Sequence, residues 1–209
     1  NLLGNLPRDA QHDIMELAGI LIGKSHLSYD VLDDNEKGLK RIYETLQEVN
    51  TVVQRPKWKP GALSDAWSKE FDLHKAGFFE AMDDDLNTAG AMGNVFGMVR
   101  LVNRLLEDKN ERNKEGCRKL LVSFLEMIKG VARILGVFGQ PAERFLLELR
   151  EMRARRMGLD IDSIESLMSL RATYRASRDF AAADNVRDRL SAMGVEVRDT
   201  PSGALWDIV

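Results

Sequence analysis

The stretch GCRKLLVSFLEMIKGVARILGV, residues 116–137, decides the fold class. Its apolar positions Leu120, Leu121, Phe124, Leu125, Ile128, Val131, Ala132 and Leu135 recur at three- and four-residue intervals. That spacing gathers them on one face of an α-helix, with charged residues between them, and an element of this kind must bury its face against a neighbour. The preceding segment supplies one: Met92, Val95, Phe96, Val99, Leu101, Val102 and Leu105 form a second stripe, capped by Asn87 and Thr88 and followed by a polar loop over 108–115. Before it, a helix starting near Ser64 is predicted to bury Trp67, Phe71, Ala76, Phe79 and Met82. Pro56 and Pro60 mark a linker, and Leu39, Ile42, Tyr43, Leu46, Val49 and Val53 predict a helix over 33–54. Long amphipathic helices with short polar joints amount to an antiparallel bundle, assigned to residues 30–140.

Gly139 and Pro141 end the bundle, and from Arg144 onward the chain carries 11 Arg, 11 acidic residues and no Lys. This shift defines a second domain, 141–209, with helices near 141–157, 162–178 and 180–193, the last closed by Gly194. The segment Val195 to Val209 alternates apolar and polar residues on both sides of Thr200-Pro-Ser-Gly203, the pattern of a β-hairpin. The fold class is therefore mainly α: an antiparallel helical bundle followed by a small α+β domain with a C-terminal hairpin. Residues 1–29, where Gly4, Pro7, Gly19 and Gly23 interrupt a helix around 13–22, read as the remnant of a connection to something larger.

Composition limits the function. With 44% hydrophobic and 30% charged residues the chain is expected to fold, to be cytoplasmic, and to lack a membrane span or signal peptide. A net charge of −3 argues against a protein that grips nucleic acid through a broad basic field, so any RNA contact is local. An Arg-only tail fits specific RNA recognition, because the guanidinium fork matches phosphates and base edges, and it fits ordinary Arg/Glu surface pairing as well.

Catalytic and metal sites are not expected. Cys117 is the only cysteine, and the three histidines are not spaced as metal ligands. Arg118 and Lys119 could depress the Cys117 pKa, but a solitary helical cysteine is more often structural. Asp83-Asp84-Asp85 is better read as acids meeting a helix N-terminus than as a cation site. No glycine-rich phosphate loop is present. The segment 175–189 is denser: Arg178, Phe180, Asp184, Arg187 and Arg189 combine a stackable ring, guanidinium forks and a carboxylate, the groups that read unpaired bases. Equally, Phe180 and the adjacent alanines could dock the helix while Asp184 pairs with Arg187.

Two stretches are more specific. Phe79-Glu-Ala-Met-Asp-Asp-Asp-Leu-Asn-Thr88 resembles the opening of the helical domain of cysteinyl-tRNA synthetases. The run Arg178-Asp-Phe-Ala-Ala-Ala-Asp-Asn-Val-Arg-Asp-Arg-Leu190, continuing through Met193 to Trp206, is similar to the C-terminal end of the same family. Leu3-Gly4-Asn5 resembles the residues just after the family's KMSKS loop, and Ser25-His26 a further landmark.

The resemblance implies the anticodon-binding type of class I synthetase bundle and a parent enzyme that attaches cysteine to tRNA(Cys). ATP-Mg and zinc are implied for that enzyme's catalytic domain, whose motifs this chain lacks. The chain alone is therefore expected to be inactive and to hold no cofactor, with tRNA(Cys), not DNA, as partner to a monomer. Carried over by position, Arg175, Phe180, Asp184 and Asp199 resemble the anticodon-contacting set, with Trp206 close by in the hairpin. Two alternatives stay open: a stand-alone helical interaction module derived from that family, and part of a cysteine:amino-sugar ligase. The latter has no anticodon to read, so the intact Arg175 to Trp206 pattern counts against it.

Overall fold

A computed structural model describes residues 29–200 and 203–208. The remnant assigned to 1–29, with its helix around 13–22, the resemblances at 3–5 and 25–26, and the hairpin turn at Pro201-Ser202 lie outside the described residues, save for Tyr29. The elements are helices α1 (Tyr29–Val53), α2 (Asp65–Asp83), α3 (Thr88–Glu107), α4 (Glu115–Leu135), α5 (Ala142–Arg156), α6 (Ile161–Ala176) and α7 (Phe180–Ala192), then strands β1 (Val195–Thr200) and β2 (Gly203–Ile208). The mainly helical class with a terminal hairpin agrees with the reading of the sequence. Two compact units divide between Leu146 and Leu147, inside α5.

In the first unit α3 is the central helix. Met92, Val95, Met98, Val99, Leu101, Val102 and Leu105 are all fully buried, more of its circumference than one stripe, because α1, α2 and α4 all pack against it. Its pairing with α2 is antiparallel and close. A Cβ on Gly97 would stand 2.4 Å from the His74 ring, so only glycine leaves room for that imidazole. The α2 stripe differs from expectation: Phe71 and Phe78 are buried, while Phe79 is 44% exposed and Ala76 is exposed. The face follows Trp67, Phe71, His74 and Phe78, and Phe79 lies beside it, meeting Phe78 edge-on at 5.3 Å.

The acidic run makes the reversal between these helices. α2 ends at Asp83, Asp85 and Leu86 adopt positive φ of 48° and 57°, and the Asn87 side chain accepts the Gly90 N–H at 2.9 Å as N-cap of α3. At the other end the linker docks on the start of α4. There Lys59 O accepts the Glu115 N–H and Gly61 O accepts the Gly116 N–H, each at 2.9 Å, which satisfies two of the donors a helix N-terminus leaves open. A Cβ on Gly116 would sit 2.4 Å from the backbone nitrogen of Leu63. Gly136 closes α4 at φ 71°, and Tyr43 of α1 stacks on Phe145 at 3.9 Å.

The second unit packs α6 and α7 against one face of the hairpin. Its core consists of Ala154, Ile164, Met168, Val186, Leu190, Val195, Val197, Trp206 and Ile208. Val195 pairs with Ile208, Val197 with Trp206 and Asp199 with Ala204, so the period of two puts Val195, Val197 and Asp199 on the same, helix-facing side. Arg150 lies 4.2 Å over the Trp206 ring.

Candidate nucleic-acid interface

The register that buries Val195 and Val197 brings Asp199 to the helices at the end of its row, where a carboxylate needs a partner. Ile164, Met168 and Arg171 follow the i, i+4, i+7 spacing of the buried face of α6, so Arg171 enters the core and is only 2% exposed. Its Nη1 and Nη2 donate to the two Asp199 oxygens at 2.9 and 3.0 Å. One turn on, Arg175 Nη1 donates to Asp199 Oδ2 at 2.8 Å. The Arg171 hydrogen bonds, then the charges of Arg171, Arg175 and Arg187, hold the Asp199 carboxyl below the usual carboxylate range. Arg171 is shifted upward, first by its bond to Asp199 and further by the charges of Asp199 and Asp184, against the opposing effect of burial.

These shifts tie α7 to the cluster. Ala183, Val186 and Leu190 are the buried face of that helix. Phe180, Asp184 and Arg187 follow one another at i, i+4, i+7 on an adjacent, exposed face. Phe180 is 58% exposed, so Ala183 and not the ring docks the helix. Among the described residues Asp184 forms no ion pair with Arg187. The Asp179 side chain caps α7 by accepting the Ala182 N–H at 3.1 Å, and Arg178 holds a positive φ of 62°, which fixes the turn ahead of Phe180.

Of the residues singled out in the sequence, the structure brings Arg175 and Asp199 into direct contact and sets Asp184 within electrostatic reach of their partner Arg171. Trp206 is placed differently. It is 5% exposed, and its indole N–H donates to Glu165 at 2.7 Å, so the ring belongs to the core under the hairpin. Arg171 was missed. Its signal was a lone charge at a core position of an apolar stripe.

Outside this surface, Cys117 is fully buried, and burial pushes its thiol up to about 11, the opposite of the depression its basic neighbours suggested. Among the described residues no three His, Cys, Asp or Glu side chains gather as a metal site, and no helix is long and apolar enough to cross a membrane.

Residues 77–139 match the family model described as DALR domain. The chain is 48% identical over 182 residues to the cysteine-tRNA ligase of Nitratidesulfovibrio vulgaris strain Hildenborough, covering 87% of this chain and 38% of that protein. The chain is a relative of the cysteine-tRNA ligases. It is 42% identical to the ligase of Oleidesulfovibrio alaskensis over 87% of this chain and 37% of that one, and 42% identical to the ligase of Desulfovibrio desulfuricans over 90% and 40%. The chain thus spans well under half the length of the cysteine-tRNA ligases it matches.

Proposed function

We propose that this chain binds tRNA(Cys) and reads its anticodon with the surface formed by α6, α7 and β1. The observation that carries this reading is the exposed row Phe180, Asp184, Arg187 beside the Arg171–Asp199–Arg175 ion cluster. An exposed ring is a platform for an unpaired base. Asp184 accepts from guanine N1 and N2 or from the cytosine amino group, and Arg175 and Arg187 offer donors to base edges and phosphates. Asp199 acts mainly through Arg175, since three of its roughly four acceptor positions are taken by guanidinium donors. Trp206 supports the hairpin from below. A few directed contacts of this kind suit a chain of net charge −3.

In this reading residues 30–140 lie along the tRNA and residues 141–209 take the anticodon. In the same reading the parent enzyme's catalytic domain, and not this chain, carries out the ligase reaction with zinc and ATP-Mg. The described residues do not fit a zinc site of their own, since the sole cysteine is buried and no ligand cluster gathers around it. The setting is the cytoplasm, the chain acts as a monomer, and DNA is not a target.

Asp184→Ala and Phe180→Ala test the reading. Each should lower binding of tRNA carrying the GCA anticodon by about 1–3 kcal/mol, the size of one base-edge or stacking contact, with an unchanged circular dichroism spectrum. Wild-type affinity in both variants would sink it.

A further inference from the structure

A guanidinium held in a core is unfavourable unless a partner compensates it, so a buried arginine in an otherwise apolar stripe calls for an explanation. Arg171 is the largest fully buried side chain among the described residues. Its fork spends two donors on Asp199, while its Nε finds no hydrogen-bond partner. Asp199 is itself half exposed, and its Oδ2 also accepts Arg175 Nη1. The three groups thus form a chain from the core to solvent: a fixed fork, a carboxylate whose plane that fork sets, and an exposed guanidinium aimed by the carboxylate. Two parallel N–H···O bonds set that plane in a way one lysine ammonium does not.

We infer that Arg171 is a positioning residue of the base-reading surface: from inside the core it orients Asp199, and Asp199 holds the Arg175 guanidinium in the orientation that discriminates an anticodon base. The inference rests on the anticodon reading proposed above. Arg175 is then the reader, and Arg171 touches no RNA.

The test uses the full 209-residue chain as wild type, Arg171→Lys, Arg175→Ala and the double variant, titrated with transcribed tRNA carrying a GCA anticodon and with the same tRNA carrying a changed one. Arg171→Lys should reduce the preference for the GCA form about tenfold, leave binding of the changed tRNA as it was, and add nothing to Arg175→Ala in the double variant. Equal weakening toward both tRNAs, or additive losses, would make Arg171 a structural residue only and overturn the inference.

A second measurement needs neither variant nor RNA. The Arg175 Nε–H of the wild-type chain should show the order of a fixed side chain by nuclear magnetic relaxation and lose it in Asp199→Asn; a mobile Arg175 in the wild type would refute the relay outright. A wild type with ordered Arg175 but no anticodon preference would instead remove the functional reading and, with it, the specificity role.

Discussion

Arg171, 2% exposed, grips both carboxylate oxygens of Asp199 at 2.9 and 3.0 Å and so ties the hairpin to α6. Removing one partner of a buried pair typically costs about 3–5 kcal/mol, and the half exposure of Asp199 lowers that to about 2 kcal/mol here. Asp199→Ala should therefore destabilise the second unit by about 2 kcal/mol in urea unfolding, as well as freeing Arg175. An unchanged unfolding midpoint would show that water compensates Arg171 fully.

The same pair sets an acid dependence. The folded-state pKa of Asp199 lies below its unfolded value of about 3.9, so its stabilisation is fully present above that pH and is lost as pH falls through the folded value. Wild type should lose stability over Asp199→Asn's baseline only below about pH 4, and the two stability curves should converge there. Parallel curves down to the acid limit would contradict this.

Trp206→Phe separates core from contact surface. The substitution removes the indole N–H that donates to Glu165 at 2.7 Å and should cost about 0.5–1.5 kcal/mol of stability, the net worth of one hydrogen bond, because water rehydrates the exposed Glu165 carboxylate. Measured where the variant is folded, its preference for one anticodon over another should be unaltered. A lost preference would mean that the ring reaches RNA.

Gly116→Ala tests how the linker is held. Alanine gains up to about 1 kcal/mol in helix propensity, but its Cβ would stand 2.4 Å from the Leu63 nitrogen, and forced overpacking costs about 1–3 kcal/mol. The net expectation is destabilisation of the first unit, read as a lower thermal midpoint. A raised midpoint would mean that the linker lifts away freely.

Most of the fold was legible because periodicity reports burial directly. Leu39, Ile42, Tyr43, Leu46 and Val49, and Leu120, Leu121, Phe124, Ile128 and Val131, are all buried as their spacing requires. The expected burial of Phe79 fails in favour of Phe78, because spacings of seven and eight from Phe71 are both helical and only packing selects one. The candidate surface was legible as residue types. Its connectivity was not, since the Arg171–Asp199 contact spans 28 residues and depends on hairpin register and helix face together. Trp206 illustrates the same limit: the resemblance alone singles it out, while its strand register pairs it with Val197 and its ring is buried.

Anticodon discrimination is the central claim, and one titration tests it most directly. The chain is mixed with transcribed tRNA carrying the GCA anticodon and, separately, with the same tRNA bearing a changed anticodon, at about 50 and 200 mM salt. The account predicts tighter binding of the GCA form at both salts, with overall affinity falling at the higher one while the ratio between the two tRNAs is maintained. Equal affinity for both, vanishing together as salt rises, would contradict it.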